Sequence, residues 1–498
     1  MRARLRIRNL RLRFRARTLA TNSIAPASVA IVGSGPSGLY AAKYLLKDDP
    51  ALRVDVLDCL PSPFGLVRSG VAPDHPEVKN VTHDFDEVAQ SERFSFLGNV
   101  RVGRDVSVAE LRARYAAVLL AYGAASDRAM GVPGERELRN VFSARAFVNW
   151  YNGHPDFVDF TPNLDCEDVV IVGQGNVAVD CARILTKTVA ELAETDIAAH
   201  ALAKLAKSSV RRVHVVGRRG HVQAAFTMKE LRELTRLADA ACVAREEELA
   251  RGRGEASVAE MAAQRAKKRM DALLADVAAE AAAPAAGAQA KRREVVLRFL
   301  LNPARLLPAE ADAGSVGAVE FDVTELRGEA DKQSAAATGR KEVVRAGMVL
   351  RSIGYKSEPI EGVPFDEKRS VVRNVLGRVV DAAGAPQLGL YCAGWLKRGP
   401  SGIIGTNIGD ARETVGVLLE DKAAGRLAPA HEAAGATSSL ASLRALLAAR
   451  GRPASELVEW AGWKRIDAEE LRRGASAGKS REKLVAVPEM VHVANSLR

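Results

Sequence analysis

The sequence is poor in the residues that several classes of metal and redox protein require. Its 498 residues include only five cysteines, and no two of them are spaced as C-x-x-C. The absence of C-x-x-C pairs argues against a disulfide framework, a zinc ribbon and a cysteine-ligated cluster. No run of about 18 apolar residues occurs, so the sequence predicts no transmembrane helix. The composition, 47% hydrophobic and 27% charged, is typical of a folded globular protein. The length of the chain predicts two or three domains.

The N-terminus lacks acidic residues, since none precedes Asp48. The first 20 residues contain eight arginines, so eight of the eleven net positive charges of the chain lie there. Because this excess of positive charge is confined to one end of the chain, the net charge no longer supports nucleic-acid binding. Arginine alternating with Leu, Ile and Phe is typical of a mitochondrial import leader. We therefore predict a targeting leader over residues 1–25, with a basic tail of no import function as the alternative.

A glycine-rich loop, GSGPSG, follows a short apolar run at residues 29–32 and leads into a helical pattern. In such a fingerprint, Gly33 permits a tight turn, Gly35 lets a pyrophosphate approach the backbone, and Gly38 allows close helix packing. A second strand ends near Asp58, whose carboxylate is placed to bind a ribose hydroxyl. The strand, loop, helix and acid together predict a dinucleotide site.

A second glycine loop, GQGNVA, begins at Gly173 after another apolar run. Ala178 occupies the third glycine position, which the fingerprint allows. The acid of the first site is replaced by Arg218 and Arg219, which suit a 2′-phosphate and therefore favour NADP over NAD. A solvated basic turn is the alternative. Two sites in one chain indicate a flavin that stays bound and a nicotinamide that exchanges.

Patterns outside the two loops predict the remaining elements. Residues 239–290 are rich in Ala and charged residues, so we predict an Ala-rich helical insertion with a flexible end. The apolar runs EVVLRFLL, GAVEFDVTEL, GMVLRSIGY and LGLYCAGW predict strands. Residues 327–341 are predicted to form a loop, and residues 425–443 an Ala/Ser-rich linker before a helical tail.

Longer motifs resemble one family. They are PFGLVRSGVAPDHPEVKNV at residues 63–81, VIVGQGNVAVDCARIL, VVGRRGHVQAAFTMKELREL, CAGWLKRGPSGIIGTNIGDA and, near the C-terminus, WKRIDAEELRRGASAGKSREKL. With these motifs the chain resembles the adrenodoxin reductase family, the mitochondrial NADPH:ferredoxin reductases, over nearly its whole length after the leader. The resemblance implies an α/β fold of two Rossmann-like dinucleotide-binding domains. It places the first part of the FAD domain at residues 26–127, the NADP domain inserted at residues 128–350, and the second part with the tail at residues 351–498.

The resemblance also implies which residues bind FAD and NADPH. The family usually has Glu where this chain has Asp58, and the segment after Ile404 departs from a more Thr-rich family pattern. The implied FAD contacts are Gly33, Gly35, Ser37, Gly38, Asp58, Leu66, Val102, Trp395, Gly402, Ile403 and Ile404. The implied NADP contacts are Gln174, Gly175, Asn176, Val177, Arg218, Arg219 and Glu230, with Gly402 near the nicotinamide.

Two further residues match family positions near the reacting rings. His75 is expected to tune the flavin or relay a proton, with a structural role as the alternative. Asp180 is expected to act near the nicotinamide, or only to hold local hydrogen bonds. No metal site is expected.

The electron acceptor implied by the resemblance is an acidic [2Fe–2S] ferredoxin, which requires a basic docking face. Arg232 matches the basic positions of the family, and the run Lys267, Lys268 and Arg269 lies where the family places the others. A solvated helix face is the alternative. The family also implies a location in the mitochondrial matrix, with peripheral association with the inner membrane.

Rival functions stay open on the sequence alone. A flavin disulfide reductase needs a redox-active cysteine pair, and the lack of C-x-x-C argues against it. An FAD/NADPH-dependent monooxygenase, or another two-electron flavin reductase, also carries two glycine loops. A binding module that senses NADP(H) would contain a redox-inert flavin or none.

Overall fold

The architecture comes from a computed structural model that describes residues 27–282, 291–427 and 438–496. The predicted leader and the predicted flexible end of the Ala-rich segment lie outside the described residues. The first quarter of the chain forms the elements β1 (Ser28–Val32), α1 (Pro36–Asp48), β2 (Arg53–Leu57), α2 (Leu66–Ser69), α3 (Pro76–Lys79), α4 (Val81–Ala89), β3 (Phe94–Gly98), α5 (Val108–Arg112), β4 (Ala117–Leu120) and β5 (Ser126–Asp127).

The middle of the chain forms a second set of elements. They are β6 (Val141–Ser143), α6 (Ala144–Tyr151), β7 (Asp168–Val172), α7 (Asn176–Thr186), α8 (Val189–Ala193), α9 (Ala199–Leu205), β8 (Arg212–Val216), α10 (Met228–Thr235), β9 (Ala240–Ala244), α11 (Glu246–Gly252), α12 (Glu255–Ala263), α13 (Arg265–Ala282), β10 (Arg293–Arg298), β11 (Leu301–Pro308), β12 (Val316–Arg327), β13 (Ser334–Arg345) and β14 (Met348–Arg351).

The last part of the chain returns to the first sheet. Its elements are β15 (Tyr355–Lys356), β16 (Phe365–Asp366), β17 (Val371–Val372), β18 (Asn374–Val375), β19 (Arg378–Val380), β20 (Pro386–Cys392), α14 (Trp395–Arg398), α15 (Thr406–Ala423), α16 (Ser439–Ala449), β21 (Val458–Glu459), α17 (Trp460–Ser476) and α18 (Val487–Asn495). Short 3-10 turns occur at Pro155–Phe157, His221–Gln223 and Ala454–Glu456.

An eight-stranded sheet has the order β18-β19-β20-β4-β1-β2-β3-β21. Its five central strands are parallel, and the strands at both edges are antiparallel. The strands β1 and β4 are buried along their whole length, as the apolar runs in the sequence indicate. Because parallel strands end at one edge, the loops after β1 and β2 lie side by side there.

A second sheet has the order β6-β14-β7-β8-β10-β9 and is parallel throughout. Helices cover one face, and the antiparallel sheet β11-β12-β13 packs on the other through a separate apolar cluster. The predicted α/β fold with two Rossmann-type units is therefore confirmed.

The chain passes between the two sheets through a short antiparallel ribbon. In this crossing ribbon β5 pairs with β15, with Tyr355 opposite Asp127 and Lys356 opposite Ser126. The amide of Arg128 donates to the carbonyl of Gly354 at 3.1 Å. The entry to the second sheet and the exit from it thus lie next to each other, although the domain limits given above stay a prediction.

The C-terminal tail reaches back to the second unit. Nζ of Lys483, which is almost fully buried, lies 3.1 Å from Oδ2 of Asp196, and Nζ of Lys79 lies 2.7 Å from the same carboxylate. Three distant parts of the chain therefore meet at one acid. Burial lowers the pKa of Lys483 to about 7, against the attraction of Asp196.

Three predictions about local structure were wrong. Residues 240–244 form the edge strand β9, not a helix, because pairing with β10 outweighs the weak strand preference of the segment AACVA. Residues 334–341 belong to β13, an exposed strand of small and polar residues without apolar alternation. The predicted linker runs into α16 at Ser439, and its residues 428–437 lie outside the described part.

Candidate active site

The first glycine loop joins β1 to α1. Gly33 has φ +105°, and a Cβ there would lie 2.6 Å from the carbonyl oxygen of Ala121. A Cβ on Gly38 would collide with the carbonyl oxygen of Gly33, whereas a Cβ on Gly35 would meet nothing within 4 Å. The outer two glycines are thus required by the fold, while Gly35 faces open space at the N-terminus of α1. This geometry fits a pyrophosphate held by the helix end.

Asp58 lies at the end of β2, beside this loop. Its Oδ2 accepts hydrogen bonds from the amide of Ser34 at 2.8 Å and from the hydroxyl of Ser34 at 2.5 Å. Its Oδ1 accepts from the amide of Leu60 at 2.9 Å. Burial raises the pKa of Asp58, and the bonds from Ser34 oppose that shift. The carboxylate is therefore fixed against the first glycine loop, at the carboxyl end of β2.

The C-terminal part of the chain closes over the start of α1. The hydroxyl of Ser37 donates to Oδ1 of Asn407 at 2.9 Å. The ring of Trp395 lies 5.4 Å from that of Tyr355, at an interplanar angle of 34°, so it is tied to the crossing ribbon. Gly402 follows with φ +83° and Ile403 is 67% exposed, whereas Ile404 packs against the core of the first unit.

The two remaining predicted FAD contacts lie on other sides of the first loop. Gly65, next to Leu66, lies so close to the first loop that a Cβ added to it would be 3.1 Å from Cα of Gly35. Val102 is buried after β3, near the backbone bond from the amide of Val100 to the carbonyl of Asp58, at 2.8 Å. The structure thus brings the predicted FAD residues together around one edge of the first sheet.

The second glycine loop repeats this geometry between β7 and α7. A Cβ on Gly173, which has φ +126°, would collide with the carbonyl oxygen of Ser352, whereas a Cβ on Gly175 would meet nothing within 4 Å. The side-chain Nε2 of Gln174 donates to the backbone carbonyl of Arg298 at 2.7 Å, and Oδ1 of Asn176 accepts from the backbone amide of Thr227 at 3.0 Å. The neighbouring Val177 packs on the core of the second unit. The open position again fits a pyrophosphate.

Arg218 and Arg219 follow β8, next to the second loop, and both are exposed. Two hydrogen bonds fix their backbone. The hydroxyl of Thr324 donates to the carbonyl of Arg218 at 2.7 Å, and the amide of Leu300 donates to the carbonyl of Arg219 at 3.1 Å. Within the described residues, neither guanidinium forms an ion pair with a carboxylate. Two free cations at this point suit a 2′-phosphate.

A cluster of carboxylates surrounds Arg183 between the two loops. The guanidinium of Arg183, which is 1% exposed, donates to Asp74 at 2.9 and 3.0 Å, to Asp180 at 2.7 Å and to Glu230 at 2.7 Å. Burial opposes the charge of Arg183, but the carboxylates outweigh it and raise its pKa. For Asp74, the same bonds outweigh burial and lower the pKa. Burial raises the pKa of Asp180 and of Glu230.

His75 belongs to the same region. Its Nε2 lies 2.8 Å from Oε2 of Glu233 on α10, so residues of both units meet there. Potential ligand atoms of His75, Glu230 and Glu233 all lie within 4.8 Å of one another. The guanidinium of Arg183 contacts both of these glutamates, at 2.7 and 3.1 Å, and its charge opposes binding of a metal cation at this point.

A cleft of about 760 Å³ lies beside the crossing ribbon and the segment before Gly402. Four cationic side chains and one carboxylate contribute to its wall. The lining residues are Arg128, Ile353, Gly354, Asp366, Lys368, Arg369, Arg398, Gly399, Pro400 and Ser401. Its charge suits an anionic ligand.

The predicted docking residues differ in their freedom to bind a partner. Arg232, Lys268 and Arg269 are exposed, and none of them forms an ion pair within the part of the chain that the structure describes. Lys267 instead pairs with Glu260, which is only 2% exposed, and lies 3.8 Å from Asp331. Lys267 is therefore committed to an internal contact.

Comparisons with known proteins agree with this geometry. A family model described as pyridine nucleotide-disulphide oxidoreductase matches residues 27–238. The chain is similar to the mitochondrial NADPH:adrenodoxin oxidoreductase of Arabidopsis thaliana, with 45% identity over 96% of this chain and 98% of that protein. It is 46% identical to that of Homo sapiens, over 93% of this chain and 91% of that protein.

The chain belongs to the NADPH:adrenodoxin oxidoreductase family. A solved structure of FprA from Mycobacterium tuberculosis in complex with NADPH is also similar, with a TM-score of 0.84 and 38% identity over 94% of this chain and 99% of that chain. The resemblance seen in the sequence is thus confirmed. All five cysteines lie among the described residues, and all are free.

Several residues of this site were not predicted from the sequence. Arg183 and Glu233 could have been predicted from the sequence, because each lies three residues after a predicted site residue and on the same helix face. Asp74 directly precedes His75, and only the fold shows that it reaches Arg183. Arg128 lies in the crossing ribbon, where no sequence pattern indicates a ligand.

Proposed function

We propose that this chain transfers electrons from NADPH, through a bound FAD, to a [2Fe–2S] ferredoxin. The observation that carries the proposal is the pair of glycine loops, each with an open position at its second glycine, of which only one is followed by two unpaired arginines. Membership of the NADPH:adrenodoxin oxidoreductase family supports the direction from NADPH to ferredoxin.

The loop with Gly35 and Asp58 is assigned to FAD. Bound FAD supplies the chemistry, since it accepts a hydride from NADPH and releases electrons singly. The amides at the start of α1 hold the pyrophosphate, and Asp58 accepts a ribose hydroxyl. Trp395, whose ring packs against Tyr355 of the crossing ribbon, and Gly402 are assigned to the side of the flavin that faces the second dinucleotide.

The loop with Gly175 is assigned to NADPH. Arg218 and Arg219 bind the 2′-phosphate, and Asn176 and Val177 lie at the helix end that holds the pyrophosphate. The cleft beside the crossing ribbon is lined by Ile353, next to the Ser352 whose carbonyl lies against Gly173, and by Ser401, next to Gly402. A nicotinamide bound through it reaches the edge of the first sheet.

Protonation in the Arg183 cluster supports this assignment. Burial raises the pKa of both Asp180 and Glu230, and the charge of Asp180 further disfavours ionisation of Glu230. We assign to Glu230 the role of holding a proton close to the nicotinamide position. His75, bonded to Glu233, orients the turn that brings Asp74 to Arg183.

The partner is an acidic ferredoxin, in our proposal. Arg232, Lys268 and Arg269 form the docking face, because their charges are exposed and unpaired within the described residues, whereas Lys267 serves the fold. We further propose a location in the mitochondrial matrix with peripheral association with the inner membrane. Among the described residues, no helix is long and apolar enough to cross a bilayer.

The proposed function is tested by NADPH-driven reduction of cytochrome c, with and without an added [2Fe–2S] ferredoxin. Ferredoxin should raise the rate strongly, while direct reduction of ferricyanide should not require it. An equal rate with and without ferredoxin would reject the proposal. A substrate hydroxylated at the expense of NADPH would identify a monooxygenase instead, and a flavin that NADPH does not reduce would identify a binding module.

A further inference from the structure

The turn after β8 is held by two sets of contacts. The carbonyls of residues 217–219 are bonded from the β10–β11 turn and from Thr324 on β12, as part of the sheet region common to the second unit. Residues 221–223 are held instead by α11, α12 and α13, which lie between β9 and β10. These three helices are inserted between two strands of the sheet. Their contacts with the turn are therefore additional to those made by the sheet region.

His221 is the first point of attachment. Its ring is fully buried, lies edge-on to Phe299 at 5.7 Å, and its Nε2 lies 2.8 Å from Oδ1 of Asp271 on α13. The guanidinium of Arg253 donates to the same oxygen at 2.7 Å. Burial lowers the pKa of His221, against the hydrogen bond with Asp271. A neutral ring that donates Nε2–H to the carboxylate leaves the buried Nδ1 without a hydrogen-bond partner among the described residues, so Asp271 is the side chain that holds the ring by a hydrogen bond.

Gln223 is the second point of attachment. Its amide nitrogen lies 3.3 Å from the hydroxyl of Ser257, 3.1 Å from a carboxylate oxygen of Glu260 and 3.0 Å from the side-chain oxygen of Gln333. Ser257 is fully buried, and Glu260 and Gln333 are 2% and 7% exposed. Hydrogen bonds in so dry an environment are strong, and a lost partner leaves buried polar groups unsatisfied.

The turn forms a hydrogen bond with one of the two arginines. The guanidinium Nη2 of Arg219 donates to the backbone carbonyl of Gln223 at 3.4 Å. The side chain of Gln223, fixed by α12, and that of His221, fixed by α13, thus determine where this carbonyl lies. The orientation of Arg219 thus depends on contacts of the turn with α12 and α13.

We propose that Asp271 and Gln223 are positioning residues that determine the preference of this enzyme for NADPH over NADH. They fix the 3-10 turn that aims Arg219, and with it the Arg218–Arg219 pair, at the 2′-phosphate. The inference rests on the proposed assignment of that pair to the phosphate. Asp271 belongs to α13, far along the chain from the arginines, and acts through His221.

The test compares Asp271→Leu with Asp271→Asn. Leucine removes the acceptor for His221, whereas asparagine keeps a side-chain oxygen in the same place. Affinity is measured by calorimetric titration of the FAD-loaded enzyme with 2′,5′-ADP and with 5′-ADP, and KM and kcat are measured for NADPH and NADH with ferricyanide. We expect Asp271→Leu to weaken 2′,5′-ADP binding and raise KM for NADPH about tenfold, which corresponds to about 1.4 kcal/mol.

The same variant should leave the binding of 5′-ADP, KM for NADH and kcat within about twofold of wild type, and Asp271→Asn should restore NADPH binding. Asp276→Leu, the same change at an exposed position of α13, serves as the matched control and should alter none of these values. Gln223→Met removes the second attachment and should act in the same direction, and it provides the test if Asp271→Leu does not fold.

The outcomes separate this inference from the site assignment. Equal losses for NADPH and NADH, or no change in either, in Asp271→Leu and Gln223→Met would overturn the inference. The double variant Arg218→Ala/Arg219→Ala tests the assignment itself, which fails if the ratio of NADPH to NADH efficiency stays unchanged. A fall of that ratio in the arginine variant alone leaves the assignment standing and overturns only the positioning role.

Discussion

The guanidinium of Arg183 and the carboxylate of Asp74 form two hydrogen bonds, at 2.9 and 3.0 Å, across the junction between the two dinucleotide-binding units. Their side chains are only 1% and 5% exposed. Since Asp74 directly precedes His75, this pair fixes the segment that carries the imidazole. This buried ion pair therefore joins the two units, together with the contacts of Lys79 with Asp196 and of His75 with Glu233.

Replacing Arg183 with Met should destabilise the protein strongly, because the buried carboxylates of Asp180 and Glu230 would lose their cation and Asp74 would keep only Lys187, at 2.9 Å. Removal of one partner from a buried pair costs about 3–5 kcal/mol. The midpoint of thermal FAD release should fall well below that of wild type. Arg212→Met, at an exposed ion pair with Asp168 and Glu294, should cost about 0–1 kcal/mol, and equal shifts in both variants would refute the role of Arg183.

The glycines of the first loop should respond differently to an added methyl group. Gly35→Ala places its Cβ in open space, so the apoprotein should keep its stability while the ratio of bound FAD to protein falls. Gly38→Ala places its Cβ against the carbonyl of Gly33, so both apoprotein stability and FAD content should fall. Denaturant midpoints and flavin absorbance distinguish the two effects. A normal FAD content in Gly35→Ala would contradict the assigned pyrophosphate site.

Reversal of charge on the docking face should impair only the ferredoxin step. Lys268→Glu/Arg269→Glu should slow ferredoxin-dependent cytochrome c reduction and weaken its dependence on salt, whereas ferricyanide reduction stays unchanged. Lys267 is left intact, because a glutamate there would face the buried carboxylate of Glu260. Lys204→Glu/Lys207→Glu, on exposed residues near the end of α9, is the control. Equal losses in both double variants would exclude a specific docking face.

The buried lysine of the C-terminal tail should make stability depend on pH. Lys483 has a pKa of about 7 in the folded protein, mainly through burial, against an ordinary value of 10.5. Between these values the unfolded chain binds more protons, so raising the pH favours the folded state. The unfolding midpoint of wild type minus that of Lys483→Met should therefore rise from pH 7 to pH 10. Lys464→Met, on an exposed lysine with a raised pKa, should show no such trend.

Local patterns in the sequence predicted the two nucleotide loops well. The buried run of β1, the positive φ at Gly33 and the open position of Gly35 all follow from residues adjacent in the chain. The parallel strands were equally visible, because burial on both faces gives uninterrupted apolar runs. Strand β13 was missed, since it is exposed and consists of small and polar residues whose pairing only β12 determines.

Contacts between distant residues could not be predicted in the same way. Arg183 and Asp74 are 109 positions apart, and nothing near either residue indicates the other. The commitment of Lys267 to Glu260 was also hidden, because a basic run on a helix looks the same whether or not an acid is buried beneath it. The sequence therefore indicated the cofactors more reliably than the residues that orient them.

The crossing ribbon has a consequence for how such a chain can arise and be redesigned. Since the amide of Arg128 donates to the carbonyl of Gly354, both ends of the segment between them meet at one point on the surface of the host sheet. A segment whose ends meet can be exchanged without stretching the host, in the way that domain insertions are tolerated at closely spaced termini. A gene fragment encoding residues 128–354 is thus a natural cassette, and replacing it from another dinucleotide reductase requires only two adjacent junctions.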